Sequence, residues 1–161
     1  MRCALLLLAT IAALTVAPTA ALSVGAPPPE PWATVNRCDT TAYPDQIGIR
    51  AGMPGSTRRA GMLMRFRVQY QDGADWRTVA GADSGWSRIA RARRGEHDAG
   101  WTFGFDAPAA GGALVLRGIV NYRWRRAGRI VRRDRRVTEA GHPGTAGADP
   151  ADFSAATCAI A

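Results

Sequence analysis

Residues Arg123 to Arg136 read RWRRAGRIVRRDRR, eight arginines in 14 residues against one acid, Asp134. The chemistry open to Arg123, Arg125, Arg126, Arg129, Arg132, Arg133, Arg135 and Arg136 is anion recognition. A guanidinium is a planar fork of donors that grips phosphate or carboxylate through two bonds at once and stacks on aromatic rings. Tyr122 and Trp124 supply such rings within or beside the run. On an exported protein this surface would meet wall polymers, anionic lipid headgroups, anionic glycans or extracellular DNA. The same run also serves as a solvated edge strand whose charges prevent pairing with another chain. No stacking platform for single-stranded nucleic acid accompanies it, so nucleic acid is not the expected partner.

A second candidate chemistry is sugar stacking. The tryptophans are Trp32, Trp76, Trp86, Trp101 and Trp124. Alternation in their neighbourhoods predicts Trp101 and Trp124 on core faces. That leaves Trp76 and Trp86 as the glycan-binding candidates, against the ordinary packing role of a large ring. His97, between Glu96 and Asp98, and His142 are the only histidines. The Glu96-His97-Asp98 trio could hold a metal weakly, against the ordinary reading of an inert histidine, and His142 is similar. Asp72-Gly73-Ala74-Asp75 lacks the oxygen donors of a calcium loop and reads as a β-turn. Neither a Gly-x-Ser-x-Gly elbow, an HExxH, a P-loop nor a dinucleotide fingerprint occurs. The expectation is therefore a non-enzyme with no metal and no cofactor. A small secreted hydrolase working through paired carboxylates is the remaining catalytic alternative.

The chain that must position these residues has 161 residues, one ordinary domain's worth. Apolar residues make up 47% and charged residues 21%, which supplies a core and excludes a wholly disordered chain. The net charge is +8, and all 21 basic residues are arginine. Abundant alanine with arginine and no lysine is what a GC-rich genome produces by codon bias. The arginine count alone is thus no argument for a polyanion partner; its placement must carry that weight.

Arg2, the apolar run Ala4 to Val16 and the small residues Ala17 to Ala21 follow the order of a secretory signal. Residues 1–21 are predicted to be that signal, with cleavage after Ala21. The apolar run is too short for a confident membrane span, and the mature chain is expected to have none. Residues 22–34, rich in proline, read as an extended linker, with Trp32 available to dock on the domain. Cys3 lies within the signal. Cys38 and Cys158 remain, and two cysteines in an exported protein pair most simply as a disulfide. Neither has a further Cys or His at ligand spacing, which argues against a metal.

Residues 35–161 alternate short apolar-periodic runs with Gly, Pro and Asp punctuation, the pattern of an all-β domain. In Met62 to Gln71 the apolar residues Met62, Met64, Phe66, Val68 and Tyr70 share one face, and Arg65, Arg67, Gln69 and Gln71 the other. Trp76 to Val79 reads as its return strand. Gly100 to Phe105 and Leu114 to Trp124 alternate too, and Gly118 on the apolar face of the latter predicts a close neighbour. Ala127-Gly128 turns the chain. A regular two-residue hairpin would then aim Arg133 and Arg135 at the core, where unpaired charge is not tolerated. A β-bulge or an edge position is expected there. Ile47 to Ile49 and the segment around Trp86 to Ile89 complete about seven strands.

The order of a strand near Ile47, MLMRFRVQY, DGADWRTV, GWTFGF and LRGIVNYRWRRAGRIVRR resembles an immunoglobulin-like or fibronectin type III-like antiparallel β-sandwich. The chain is similar to small exported proteins of GC-rich actinobacteria with one cysteine near each end of the domain. Cys38 and Cys158 do not match the core-strand cysteines of antibody domains, so that packing is not carried over. The resemblance implies a secreted sandwich module with no assigned chemistry; the signal and the candidate residues add the expectation of an exported binding or structural module at the cell envelope. Its expected partner is an anionic envelope polymer or a glycan; fold analogy assigns no chemistry.

Overall fold

Residues 29–161, except 57, 93, 110 and 111, are described by the structure, a computed structural model. The predicted signal (residues 1–21), the predicted linker up to residue 28 and Cys3 lie outside the described residues.

The period-two run sits at the centre of the architecture. Met62, Met64, Phe66 and Val68 are buried, while Leu63, Arg65, Arg67 and Gln69 between them are half-buried on the opposite face. They belong to strand β3 (Ala60–Asp72). The others are β1 (Trp32–Thr40), β2 (Tyr43–Pro54), β4 (Asp75–Asp83), β5 (Ser87–Ala92), β6 (Glu96–Gly104), β7 (Leu114–Arg126), β8 (Arg129–Val137) and β9 (Cys158–Ile160). No helix occurs among the described residues. None is therefore long and apolar enough to cross a membrane.

The strands form two antiparallel sheets. One has the order β1-β2-β6; the other has the path β4-β3-β7-β8, with β5 also on β3 and β9 also on β7. β7 occupies one edge of β3, so β4 (opposite Arg67 to Asp72) and β5 (opposite Ala60 to Met64) follow each other along the other edge. In the same way β8 and β9 share the second edge of β7. Among the described residues nine strands thus occupy seven lanes, three facing four. The expectation of about seven strands is corrected to nine, because two edge lanes are each broken into two pieces. The all-β sandwich is compatible with an Ig-like fold.

Two strands were not legible in sequence. β1 begins at Trp32, so residues 32–34, assigned above to the linker, are sheet. β9 is three residues long, below what periodicity resolves.

The core lies between the sheets. Ile47, Ile49, Ala51 and Met53 of β2 pack against Met62, Met64 and Phe66 of β3 and Leu116, Val120, Tyr122 and Trp124 of β7. Trp124 donates its indole N–H to the Pro54 carbonyl at 2.9 Å, and the Tyr122 hydroxyl donates to the Trp32 carbonyl at 2.6 Å. Both buried polar tips are therefore satisfied. Burial raises the Tyr122 pKa far above its usual value. Gly118 meets the predicted neighbour: an added Cβ would lie 2.7 Å from Ile49 Cδ1, across the sandwich, and 2.6 Å from Thr138 Cγ2.

Trp101 corrects the sequence reading. Its register opposite Ile49 does put it on the inner face. Yet it is 41% exposed, because β6 is the outermost strand of its sheet and that side of the sandwich is incompletely covered.

Cys38 and Cys158 form the expected disulfide, with Cα atoms 5.2 Å apart. Cys38 lies on β1 and Cys158 on β9, so the bond staples one sheet to the other. The stretch between β8 and β9 returns over β1: Glu139 N–H donates to Ala33, Asp149 N–H to Asn36, and Val35 and Ala155 exchange two bonds. The free edge of β1 is thereby occupied.

Candidate functional site

The arginine-rich hairpin turns at Ala127 and Gly128, both at positive φ (46° and 79°), as a type I′ turn requires. One residue later the register slips. Arg125 pairs with Ile130, but Trp124 pairs with Arg132. Val131 is the extra residue, and it is 47% exposed. This is the expected bulge, and β8 is also an edge strand.

The slip divides the arginines between two faces. Arg133 stands opposite Arg123 and Arg135 opposite Asn121, on the outer face. Arg132 and Arg136 stand opposite Trp124 and Val120. There Arg132 stacks on Trp124, 4.5 Å from the ring centroid. Asp134 lies between the two, 3.6 Å from Arg132 and 3.5 Å from Arg136, and Arg136 reaches Glu30 at 2.5 Å. The Glu30 contact holds the Arg136 pKa above its ordinary value. Arg132 and Arg136 therefore already have counter-charges. Arg126 and Arg129 flank the turn and are exposed. Arg125 donates to the Gly128 carbonyl at 2.9 Å.

The outer face of the six-stranded sheet gathers more than the hairpin. β7 contributes Arg117, Asn121 and Arg123, and β3 contributes Arg65 and Arg67. Among the described residues its one acid at a strand position is Asp83, opposite Arg67. Asp83 is bound by Arg65, and this hydrogen-bonded pair lowers the Asp83 pKa and raises that of Arg65. Arg117 is pushed the other way, by partial burial first and by the charge of Arg135 second.

Trp76 and Trp86 sit on this same face. The Arg117 guanidinium lies 4.1 Å from the Trp76 ring centroid, and Arg123 lies 3.8 Å from that of Trp86. Both rings are half-buried with one face covered by an arginine. The sequence treated the hairpin arginines and these tryptophans as alternative sites; the pairing of β3 with β7 makes them one surface. Arg65, Arg67 and Arg117 belong to it too. Their alternation was visible in sequence, but not which strand would lie beside them. Two buried donors on this face, Arg67 Nε and Asn121 Nδ2, have no protein acceptor. The face offers hydrogen-bond donors and positive charge. Donors of this kind are chemically suited to the oxygens of an acceptor-rich, anionic ligand.

The remaining candidates stay apart. His142 stacks on Trp32 with centroids 4.7 Å apart and lies 3.2 Å from Glu139. His97 is on β6, opposite Met53. Asp72 forms an ion pair with Arg77 at 2.6 Å beside its turn. Among the described residues no three His, Cys, Asp or Glu side chains are placed to hold a metal ion. No family model, no curated protein and no solved structure matches the chain.

Proposed function

We propose that this is an exported, non-enzymatic module of the immunoglobulin-like or fibronectin type III-like kind. It holds an anionic polymer of the cell envelope against the outer face of its six-stranded sheet. The observation that carries the reading is the charge inventory of that face: arginines of β3, β7 and β8 converge, and the one acid among them is already paired. Stacking on Trp76 and Trp86 holds Arg117 and Arg123 in fixed positions, which reduces the ordering cost of binding. The signal-like N-terminus and the inter-sheet disulfide support export to an oxidising compartment. The lane order, β1-β2-β6 facing β4-β3-β7-β8, supports the module type.

The test is retention of the oxidised protein on the host's envelope fractions across a salt series. Retention is expected to fall steeply with salt. The triple variant R123Q/R133Q/R135Q should lose it, while R132Q/R136Q, whose arginines have internal partners, should keep most of it. Absence of retention at low salt, or retention indifferent to the triple variant, would sink the proposal. Glycan recognition is the second reading. Trp101, the most exposed indole, favours it more than Trp76 or Trp86, whose faces carry arginines. Salt separates the two, since stacking of neutral sugars on Trp101 is insensitive to ionic strength.

A further inference from the structure

At the hairpin end of the same face a cleft of about 320 Å³ opens between β3, β5 and the β7–β8 turn. Arg59, Arg88, Arg91, Arg125 and Arg126 line it, and no lining residue is acidic. Only Arg125 and Arg126 belong to the arginine-rich run; Arg88 and Arg91 come from β5 and Arg59 immediately precedes β3.

Register explains how the cleft forms. Gly61 of β3 stands between Arg91 of β5 and Arg125 of β7, so two arginines flank a position with no side chain. The next outward rung is Arg88, Leu63 and Arg123. Gly61 is not held by backbone conformation or crowding. An added Cβ would meet only the Arg125 carbonyl, at an ordinary 3.6 Å. The missing side chain leaves a floor of backbone beneath a ring of guanidiniums. Two of these are braced by the protein: Arg59 donates Nε–H to the Arg91 carbonyl at 3.3 Å, and Arg125 donates to Gly128.

Five guanidiniums around so small a space repel one another, and guanidiniums do not relieve repulsion by losing protons. A compact anionic group with several acceptor oxygens matches the cleft in size, charge and donor geometry. We propose that the cleft is a binding site for a tetrahedral oxyanion, the phosphate or sulfate group of the ligand. This inference rests on reading the face as an anion-binding surface, and it adds the chemical class and the place where one charged group is seated.

The experiment is calorimetric titration of the oxidised protein with inorganic phosphate and with inorganic sulfate, against chloride at matched ionic strength. Saturable one-to-one binding is expected. R88Q/R91Q should weaken it by about tenfold or more. G61V should abolish it while retaining every arginine, because its side chain fills the floor. R133Q/R135Q, outside the cleft, should change it by less than about threefold at physiological salt. If G61V does not fold, the surface variant R88Q/R91Q carries the test. Phosphate gains its second charge near neutral pH, whereas sulfate is doubly charged throughout. Tighter phosphate binding that grows with pH would identify a phosphate ligand; tighter, pH-independent sulfate binding would identify a sulfated one. No saturable binding of either ion, or wild-type affinity in folded G61V and in R88Q/R91Q, would overturn the inference. Envelope retention without oxyanion binding would refute the cleft alone. Oxyanion binding without envelope retention would uphold the cleft and refute the wider polymer surface.

Discussion

The guanidinium of Arg123 lies over the Trp86 ring, 3.8 Å from its centroid. Arg123 is on β7 and Trp86 is in the link between β4 and β5, with β3 between them. The contact spans three lanes of the sheet and ties a residue of the arginine-rich run to an aromatic 37 positions earlier in the chain. If the pair preorganises Arg123 for an anion, the two side chains must fail differently. W86A removes no charge and is expected to weaken polymer retention by about two- to fivefold, with its salt slope unchanged. R123Q should lower the slope by about one. An R123Q variant with the wild-type slope would place Arg123 outside the contact.

Gly118 tests the sandwich itself. Its amide donates to Thr138 Oγ1 at 3.0 Å, and Thr138 in turn donates its backbone N–H to the Gly118 carbonyl. With Ile49 pressed against the other side, no room remains for a Cβ. G118A should cost about 1–3 kcal/mol in urea unfolding, because either the sheets separate or Thr138 shifts. The control is G104A, where an added Cβ meets nothing within 4 Å. It should change stability by less than about 0.5 kcal/mol.

The disulfide is checked independently. Closing a loop over a sequence separation of 120 residues restrains the unfolded chain, and its removal in C38A/C158A should cost about 2–5 kcal/mol. The intact oxidised mass should be about two daltons below the reduced mass. Two free thiols in exported material would refute the pairing.

Asp83 makes stability depend on acid. Its folded-state pKa is lowered, first by the Arg65 hydrogen bond, so it stabilises the fold above the unfolded carboxylate value of about 3.9. That contribution disappears as pH falls through the lower folded value. Unfolding free energy measured from pH 6 down to pH 2 should therefore decline more steeply for the wild type than for D83N. Parallel curves would show that the pair contributes nothing measurable, the outcome expected of an ordinary surface ion pair.

Much of this protein is written in local pattern. Period-two alternation in Met62 to Tyr70 fixes which side chains are buried, because a strand has only two faces. Gly118 announced its close neighbour, and the conflict between two-residue turn and charge announced the bulge after Trp124. Cys38 and Cys158 were the only plausible pair within the domain. Trp101 shows the limit of such reasoning: alternation assigns a face, but only the sheet edges decide whether that face is covered. The same holds for the site. Arginines at 59, 88 and 91 look like codon bias, and those at 123–136 look like an edge strand. β3 pairing with β5 on one side and β7 on the other brings them together around Gly61. Strand pairing is non-local, so no window of sequence contains it; the tertiary structure alone decides which charges become neighbours.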